Sequence, residues 1–419
     1  MKYARLANTQ IGEYINNVGI INMGDYIQSF AVENLFKYAG IESQNIIQLP
    51  FFQNTLVTEP CYLIVQGHFG RQYDMGFMYN SNIHPIFIGF ALKDSFLLRE
   101  EISYFKKYEP ILCRDEFTKN VFTHYGIEAY ISGCLSLIFP KRKINESDKP
   151  NKYYFVDVKE KFIDLIPKEI KENAVITSQN IHIKKMGNSI MELGEKKTRE
   201  RLEDYQKNAK MVITSKLHCM IPCTAMGIPT IAVGDNFSYR YTFTDTFINA
   251  YDEDAFRNYD WCIPEEKVDI EPVKKLLLDV GVSMINQSPD MHKIKKLDDL
   301  FQKRDKWNYC KGIKKQLQQA FKNTDFPRYI LWGAAAGGYT VYEALKEMWP
   351  ENEMLEIVDS FAEGIFAGQK IIKPEDAVKK YPDATVIVST LSGRESAETF
   401  LQQHGKMKNL DYFIVHESI

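Results

Sequence analysis

Val212-Ile213-Thr214-Ser215-Lys216-Leu217-His218-Cys219, followed by Gly227-Ile228-Pro229-Thr230, reads as a strand, a turn, a helix and a second strand. An apolar run stops at Thr214, and an apolar helical stretch runs from Leu217 to Met226. The strand Pro229–Gly234 then completes a βαβ unit. Ser215, Lys216 and His218 fall on the turn and the first turn of the helix. There, free backbone N–H groups and the positive dipole end favour anions. A Lys adds a full charge, and a His can carry a proton near neutral pH. The same residues also suit a plainer role, with Ser215 as helix cap, Lys216 in solvent and His218 in the core.

The same alternation extends in both directions. Upstream lie strands at 153–158 and 174–177 and a helix at 199–209, preceded by a polar stretch, Lys141 to Lys152, that suits an interdomain linker. Before that stretch, Leu63-Ile64-Val65, Pro85–Ala91 and Pro110–Cys113 read as buried strands. Ala129–Cys134 closes the region, and Gly24-Asp25 introduces a helical pattern over 26–36. Downstream, residues 268–322 are amphipathic and helical, packing back across the two halves. A third unit starts at Pro327 with strands at 328–332, 355–359, 384–390 and 412–415. The expected fold is α/β, with two Rossmann-like lobes at 1–145 and 146–325. A small C-terminal Rossmann-like accessory domain follows at 326–419. Two such lobes imply a cleft between them, where α/β proteins bind ligands. Gly333-Ala334-Ala335-Ala336-Gly337-Gly338 is not a regular dinucleotide fingerprint, so no NAD or other cofactor is assigned.

At 419 residues the chain is too long for one ordinary core, and 45% apolar with 26% charged residues is globular composition. A formal charge of −3 gives no general attraction to nucleic acid, so an anionic ligand needs a local positive cluster. No apolar run is long enough for a transmembrane helix, and MKYARLANTQIGEY lacks the apolar core of a secretory signal. The seven cysteines are scattered without a CxxC pair, which points to reduced thiols and a cytoplasmic setting, free or peripheral to the inner membrane face. Cys219 and Cys223 beside His218 suit packing better than a metal site, and no metal is expected.

Three further pieces share an order with the opening stretch. Asn22-Met23-Gly24-Asp25 leads into a helix, and Arg114-Asp115 follows a strand, with Thr118 and Gly126-Ile127 behind it. Ser215-Lys216-Leu217-His218 with Gly227-Ile228-Pro229 comes last. In this order and spacing, over roughly residues 10 to 250, the chain resembles the polysaccharide pyruvyl transferases. The resemblance implies a GT-B-like arrangement of the lobes with the site between them. It also implies transfer of a pyruvyl group from phosphoenolpyruvate to a sugar, lipid-linked or free, forming a ketal. The family's donor residues fall at Arg114, Lys216 and His218. Its usual Arg is Lys216 here, a point charge without the bidentate fork. Its usual Gly-Asp-Pro appears as Ser132-Gly133-Cys134.

The residue types fit that chemistry. A donor with a phosphate and a carboxylate needs at least two cationic or N–H-rich contacts, and Ser215 and Lys216 offer them beside Arg114. Protonating its methylene carbon needs an acid–base group of near-neutral pKa. His218 is the first candidate. His68, between glycines in Gly67-His68-Phe69-Gly70, is the second, with a structural turn role equally open. Asp25 can position an acceptor hydroxyl or cap its helix, and Arg240 in Asn236–Tyr241 can shape the pocket or lie on the surface. Two rival readings are a GT-B glycosyltransferase using a nucleotide sugar, and a non-catalytic glycan- or anion-binding protein.

Overall fold

The computed structural model describes residues 2–7, 20–50, 57–70, 78–144, 150–182, 190–235, 237–262, 269–302, 307–322, 324–390 and 393–416. The first part of the chain forms β1 (Lys2–Ala7), β2 (Ile20–Asn22), helix α1 (Met23–Tyr38), β3 (Ile46–Pro50), β4 (Cys61–Phe69) and β5 (Ile83–Leu92). It continues with β6 (Ile111–Cys113), α2 (Glu116–His124) and β7 (Ala129–Ile131). All of these strands except β2 build one parallel sheet in the order β3-β1-β4-β5-β6-β7. Its central strands carry the unbroken apolar runs that a sheet covered on both faces requires.

After the polar stretch, of which 145–149 lie outside the described residues, come β8 (Lys152–Val156), β9 (Ala174–Thr177) and β10 (Asn180–His182). Helix α3 (Ile190–Asn208), β11 (Ala209–Thr214), α4 (Leu217–Ala225), β12 (Thr230–Val233) and β13 (Asn249–Tyr251) follow. Five of these strands form a second parallel sheet, β13-β12-β11-β8-β9. Strand β10 pairs antiparallel with β2, so a two-stranded ribbon joins the lobes, with Asn180 opposite Asn22. Helices α5 (Glu271–Ile285), α6 (Met291–Gln302) and α7 (Trp307–Ala320) return across the body. On α6, Asp298 binds Lys119 at 2.7 Å and accepts from the Ile131 amide, anchoring the helix to the first lobe.

The third sheet uses β14 (Arg328–Trp332), then α8 (Ala336–Met348), β15 (Glu353–Val358), β16 (Ile365–Phe366), β17 (Gln369–Ile372), β18 (Thr385–Val388) and β19 (Tyr412–Ile414). Its order is β16-β17-β15-β14-β18-β19, parallel except for the short β16–β17 hairpin. The fold is therefore α/β, with two Rossmann-like sheets and a third of the same kind. Strand alternation decides what each sheet shares. Tyr154, Val212 and Leu331 face one continuous core that also holds Leu63 of the first sheet. Their neighbours Phe155, Ile213 and Ile330 point into smaller cores on the outer faces. All three sheets thus bury one face in common.

Strand order reverses between β1 and β4 in the first sheet, between β8 and β11 in the second, and between β14 and β18 in the third. Such switch points leave a crevice at the carboxyl ends of the strands. His68 lies near the end of β4, Asp157 follows β8, Ser215 follows β11, and Gly333 follows β14.

Candidate active site

These strand ends open on one cleft of about 900 Å³. The first lobe lines it with Asn22, Gly24, His68 and Lys93. The second contributes Asp157, Gln179, Ser215, Lys216, His218 and the Ser238–Tyr241 segment, and the third unit adds Ala335, Ala336 and Gly337. Of the residues singled out from sequence, His68, Ser215, Lys216, His218 and Arg240 meet here. Asn236 lies outside the described residues.

The two motif helices meet nose to nose. Asn22 caps α1, its Oδ1 accepting from the Gly24 amide at 2.9 Å. Asp25 is therefore not the cap; it sits in the first turn, half-buried. Gly24 lets the two helix starts pack closely, since a Cβ there would lie 3.2 Å from the His218 Cβ and Nδ1 and the ring would have to shift by a few tenths of an ångström. Ser215 is not a cap either. Its hydroxyl donates to the Asp157 carbonyl at 2.7 Å, and Lys216, exposed, occupies the cap position with its amide bonded to Thr214 Oγ1. Gln179, buried and unforeseen, ties the junction together. Its carbonyl accepts from the Met23 amide, its amide donates to Asp157, and its side chain donates to the His218 carbonyl at 3.1 Å.

Behind this junction Arg114 is 0% exposed, so a surface ion pair is ruled out. Its Nε lies 3.6 Å from Asp115 Oδ2, itself buried, and none of its three nitrogens has a hydrogen-bond partner among the described residues. Asp115 is occupied elsewhere, its Oδ1 capping α2 through the Thr118 amide and hydroxyl. His218, 8% exposed, likewise keeps Nε2 unpartnered. Buried polar groups are rarely left in that state. Burial, then Arg114 and Arg240, hold the His218 imidazole well below its ordinary pKa, so it is neutral at pH 7. Burial and the same two arginines with Lys93 do the same to His68. Asp25 moves the other way: burial pushes it up to about 6 against Arg240 and Lys93.

His68 is fixed from across the cleft. Its Nε2 is hydrogen-bonded to Tyr239 Oη at 2.8 Å, and that hydroxyl also donates to the Leu92 carbonyl. The Tyr239 ring packs on Phe117 of α2, which packs in turn on Tyr339 of α8. A Tyr239→Phe variant keeps this aromatic chain and removes only the hydroxyl. It is expected to lower stability by about 0.5–1.5 kcal/mol, the usual net contribution of one hydrogen bond, here to a half-buried ring at the cleft. Thermal unfolding checks this, and a change within experimental error would show that the bond carries no weight.

The sequence profile of the polysaccharide pyruvyl transferases matches residues 22–236, a little over half of the chain. The chain belongs to this family of transferases. The matched stretch contains both helix starts, Arg114 and His218, and stops short of Arg240 and the third unit. No curated protein sequence matches significantly. One similar solved structure is an uncharacterized protein of Klebsiella pneumoniae, 14% identical, covering 64% of this chain and 91% of its own, at a TM-score of 0.32. Another is a putative UDP-N-acetylglucosamine 2-epimerase of Listeria monocytogenes, 10% identical, covering 78% and 98%, at 0.28. As a family member this chain departs at Ser132-Gly133-Cys134, which is a packing turn here. Gly133 has φ of 67°, and a Cβ on it would lie 2.8 Å from the Phe301 ring. Cys219 and Cys223 are buried in the common core. Among the described residues no helix is long and apolar enough to cross a membrane.

Proposed function

We propose that this transferase moves the pyruvyl group of phosphoenolpyruvate onto two hydroxyls of a sugar, forming a ketal and releasing phosphate. The observation that carries the reading is the fully buried Arg114 guanidinium, paired with Asp115 at 3.6 Å but without a hydrogen bond among the described residues, and within electrostatic reach of Arg240, His68 and His218. Concentrated positive charge beside two neutral imidazoles suits a small, multiply charged anion that also needs a proton delivered. A donor in the cleft offsets the field of the two arginines and so raises the pKa of His218, which burial and those arginines together keep low. His218 then gives a proton to the methylene carbon, and the sugar's first hydroxyl attacks the adjacent carbon, returning its proton to His218. The second hydroxyl attacks the same carbon, and the carbon–oxygen bond to phosphate breaks with its electron pair leaving on phosphate. His68 receives the second hydroxyl's proton, and Asp25 orients the acceptor.

Lys216 and Ser215 stand at the cleft surface over the α4 N-terminus, where Lys216 adds charge to the donor site. Lys216→Ala is expected to weaken phosphoenolpyruvate binding about three- to tenfold, the modest effect of an exposed charge. Lys216→Arg should keep donor affinity. Isothermal titration with phosphoenolpyruvate, with a nucleotide sugar as competitor, tests both the variants and the reading. Tight binding of the nucleotide sugar and none of phosphoenolpyruvate would sink it.

A further inference from the structure

The family profile ends at residue 236, but the cleft does not. Its third wall is Ala335-Ala336-Gly337, which follows β14 at the switch point of the third sheet and opens α8. We propose that this wall binds the saccharide acceptor and limits which sugars enter, so that the C-terminal unit is part of the active site. This rests on the ketal reading of the same cleft.

The wall has a fixed shape. Gly333 has φ of 122°, and a Cβ on Gly338 would lie 1.8 Å from the Gly333 carbonyl oxygen, so the turn closes on itself as no other residue would allow. Asp359, after the neighbouring strand, locks it by accepting from the Ala334 amide at 3.0 Å and from the Phe361 and Ala362 amides. That carboxylate is thereby committed to the turn rather than offered to a ribose. What the turn presents to the cleft is two methyl groups and a glycine. The same cleft is lined by groups that suit a polyhydroxylated ring with apolar faces: Asn180, Ser238 and Asp235 for hydroxyls, Phe237 and Tyr241 for C–H faces. The aromatic chain Tyr339–Phe117–Tyr239 holds α8 against the elements that carry His68 and Arg114. The cleft is also far larger than phosphoenolpyruvate needs, and lies near the upper end of ordinary ligand pockets of roughly 300–1,000 Å³.

Ala335 gives a clean probe. It is exposed and in extended backbone, with φ −91° and ψ −172°, so a large side chain there disturbs no core. Gly337 is a second, since a Cβ on it would meet only the Ser389 carbonyl oxygen, at 3.5 Å. The full-length protein is assayed for phosphate released from saturating phosphoenolpyruvate with p-nitrophenyl glycosides of glucose, galactose, mannose and N-acetylglucosamine. Glycoside binding is followed in parallel by saturation-transfer NMR. Ala335→Trp and Gly337→Phe are expected to raise the acceptor KM at least tenfold while donor affinity stays within twofold. Phe361→Ala, at a ring 87% exposed on the same unit, should change neither. Unchanged acceptor KM in both cleft variants would overturn the proposal. So would a wild type that binds phosphoenolpyruvate but none of the glycosides, which would leave the donor reading standing. Loss of donor binding in Ala335→Trp to the same extent as acceptor binding would also overturn it, by making the wall part of the donor pocket.

Discussion

Replacing His218 with Gln is expected to lower turnover by about 10²–10⁴-fold, the usual cost of a lost general acid or base, with donor affinity nearly kept. Gln fills a similar space and carries no titratable proton. The backbone carbonyl of residue 218 keeps its bond from Gln179, so the α4 start stays in place. The pH profile separates a proton carrier from a structural His. In the free protein burial, Arg114 and Arg240 hold His218 below its ordinary value. A bound anion opposes the two arginines, so the pKa in the donor complex lies higher. Acting as acid, His218 supports turnover while it is protonated, and turnover falls as pH rises through that raised value. This limb of the turnover profile should vanish in His218→Gln. Full turnover with an unchanged profile would return His218 to the packing role that the sequence left open.

Much of this was legible in the sequence, for a physical reason. Central parallel strands are buried on both faces, so Leu63-Ile64-Val65, Ile213 with its neighbours, and Arg328–Trp332 stand out as apolar runs whatever surrounds them. Strands β1 and β3 escaped notice. Lys2–Ala7 mixes Lys, Tyr and Arg with small residues, and Ile46–Pro50 lies at the sheet edge. The three-residue β2 and β10 have no local signature, because each exists only through the other across the lobes. The helix starts at Met23, Glu116 and Leu217 were placed to within a few residues, but the helix expected from Arg199 begins at Ile190, in a polar stretch without apolar periodicity, and the caps were not placed. Asp25 and Ser215 have the right chemistry for capping, yet Asn22 caps the first helix, and α4 starts at Lys216 with no side-chain cap bond. Gln179 carries no motif, and its role is visible only where β10 meets both helices. The joining of Ala335–Gly337 to the cleft was equally hidden, since it depends on Phe117 and Tyr339, more than 200 residues apart, packing together. Local pattern fixes the elements; contacts between lobes decide what each side chain faces.

Neutralising Arg114 is the second large change, and its consequences run in opposite directions for stability and for binding. Arg114→Met keeps most of the volume and avoids the cavity that Ala would leave at a 0% exposed site. In the wild type the guanidinium bears a desolvation cost with no hydrogen bond among the described residues to offset it, and Arg240 adds repulsion. Asp115 is the carboxylate that attracts it, at 3.6 Å, and that carboxyl is itself pushed upward by burial. Without Arg114 it rises further and can take a proton, so the variant need not hold an uncompensated charge. Unliganded stability is therefore expected to hold or increase, because the cost of desolvating the guanidinium goes with it and Asp115 turns neutral rather than standing as a lone buried charge. Donor binding should suffer instead, by about 2–5 kcal/mol if the site is desolvated, which is roughly 30- to 5,000-fold in affinity. The His218 pKa in the free protein should rise as well, because one of the charges that depresses it is gone. Thermal unfolding with and without phosphoenolpyruvate reads both directions at once. The wild type should gain stability from the donor, and Arg114→Met should start at least as stable and gain almost nothing. A variant that starts much less stable, yet binds the donor as the wild type does, would make Arg114 a structural partner of Asp115 and remove it from the site.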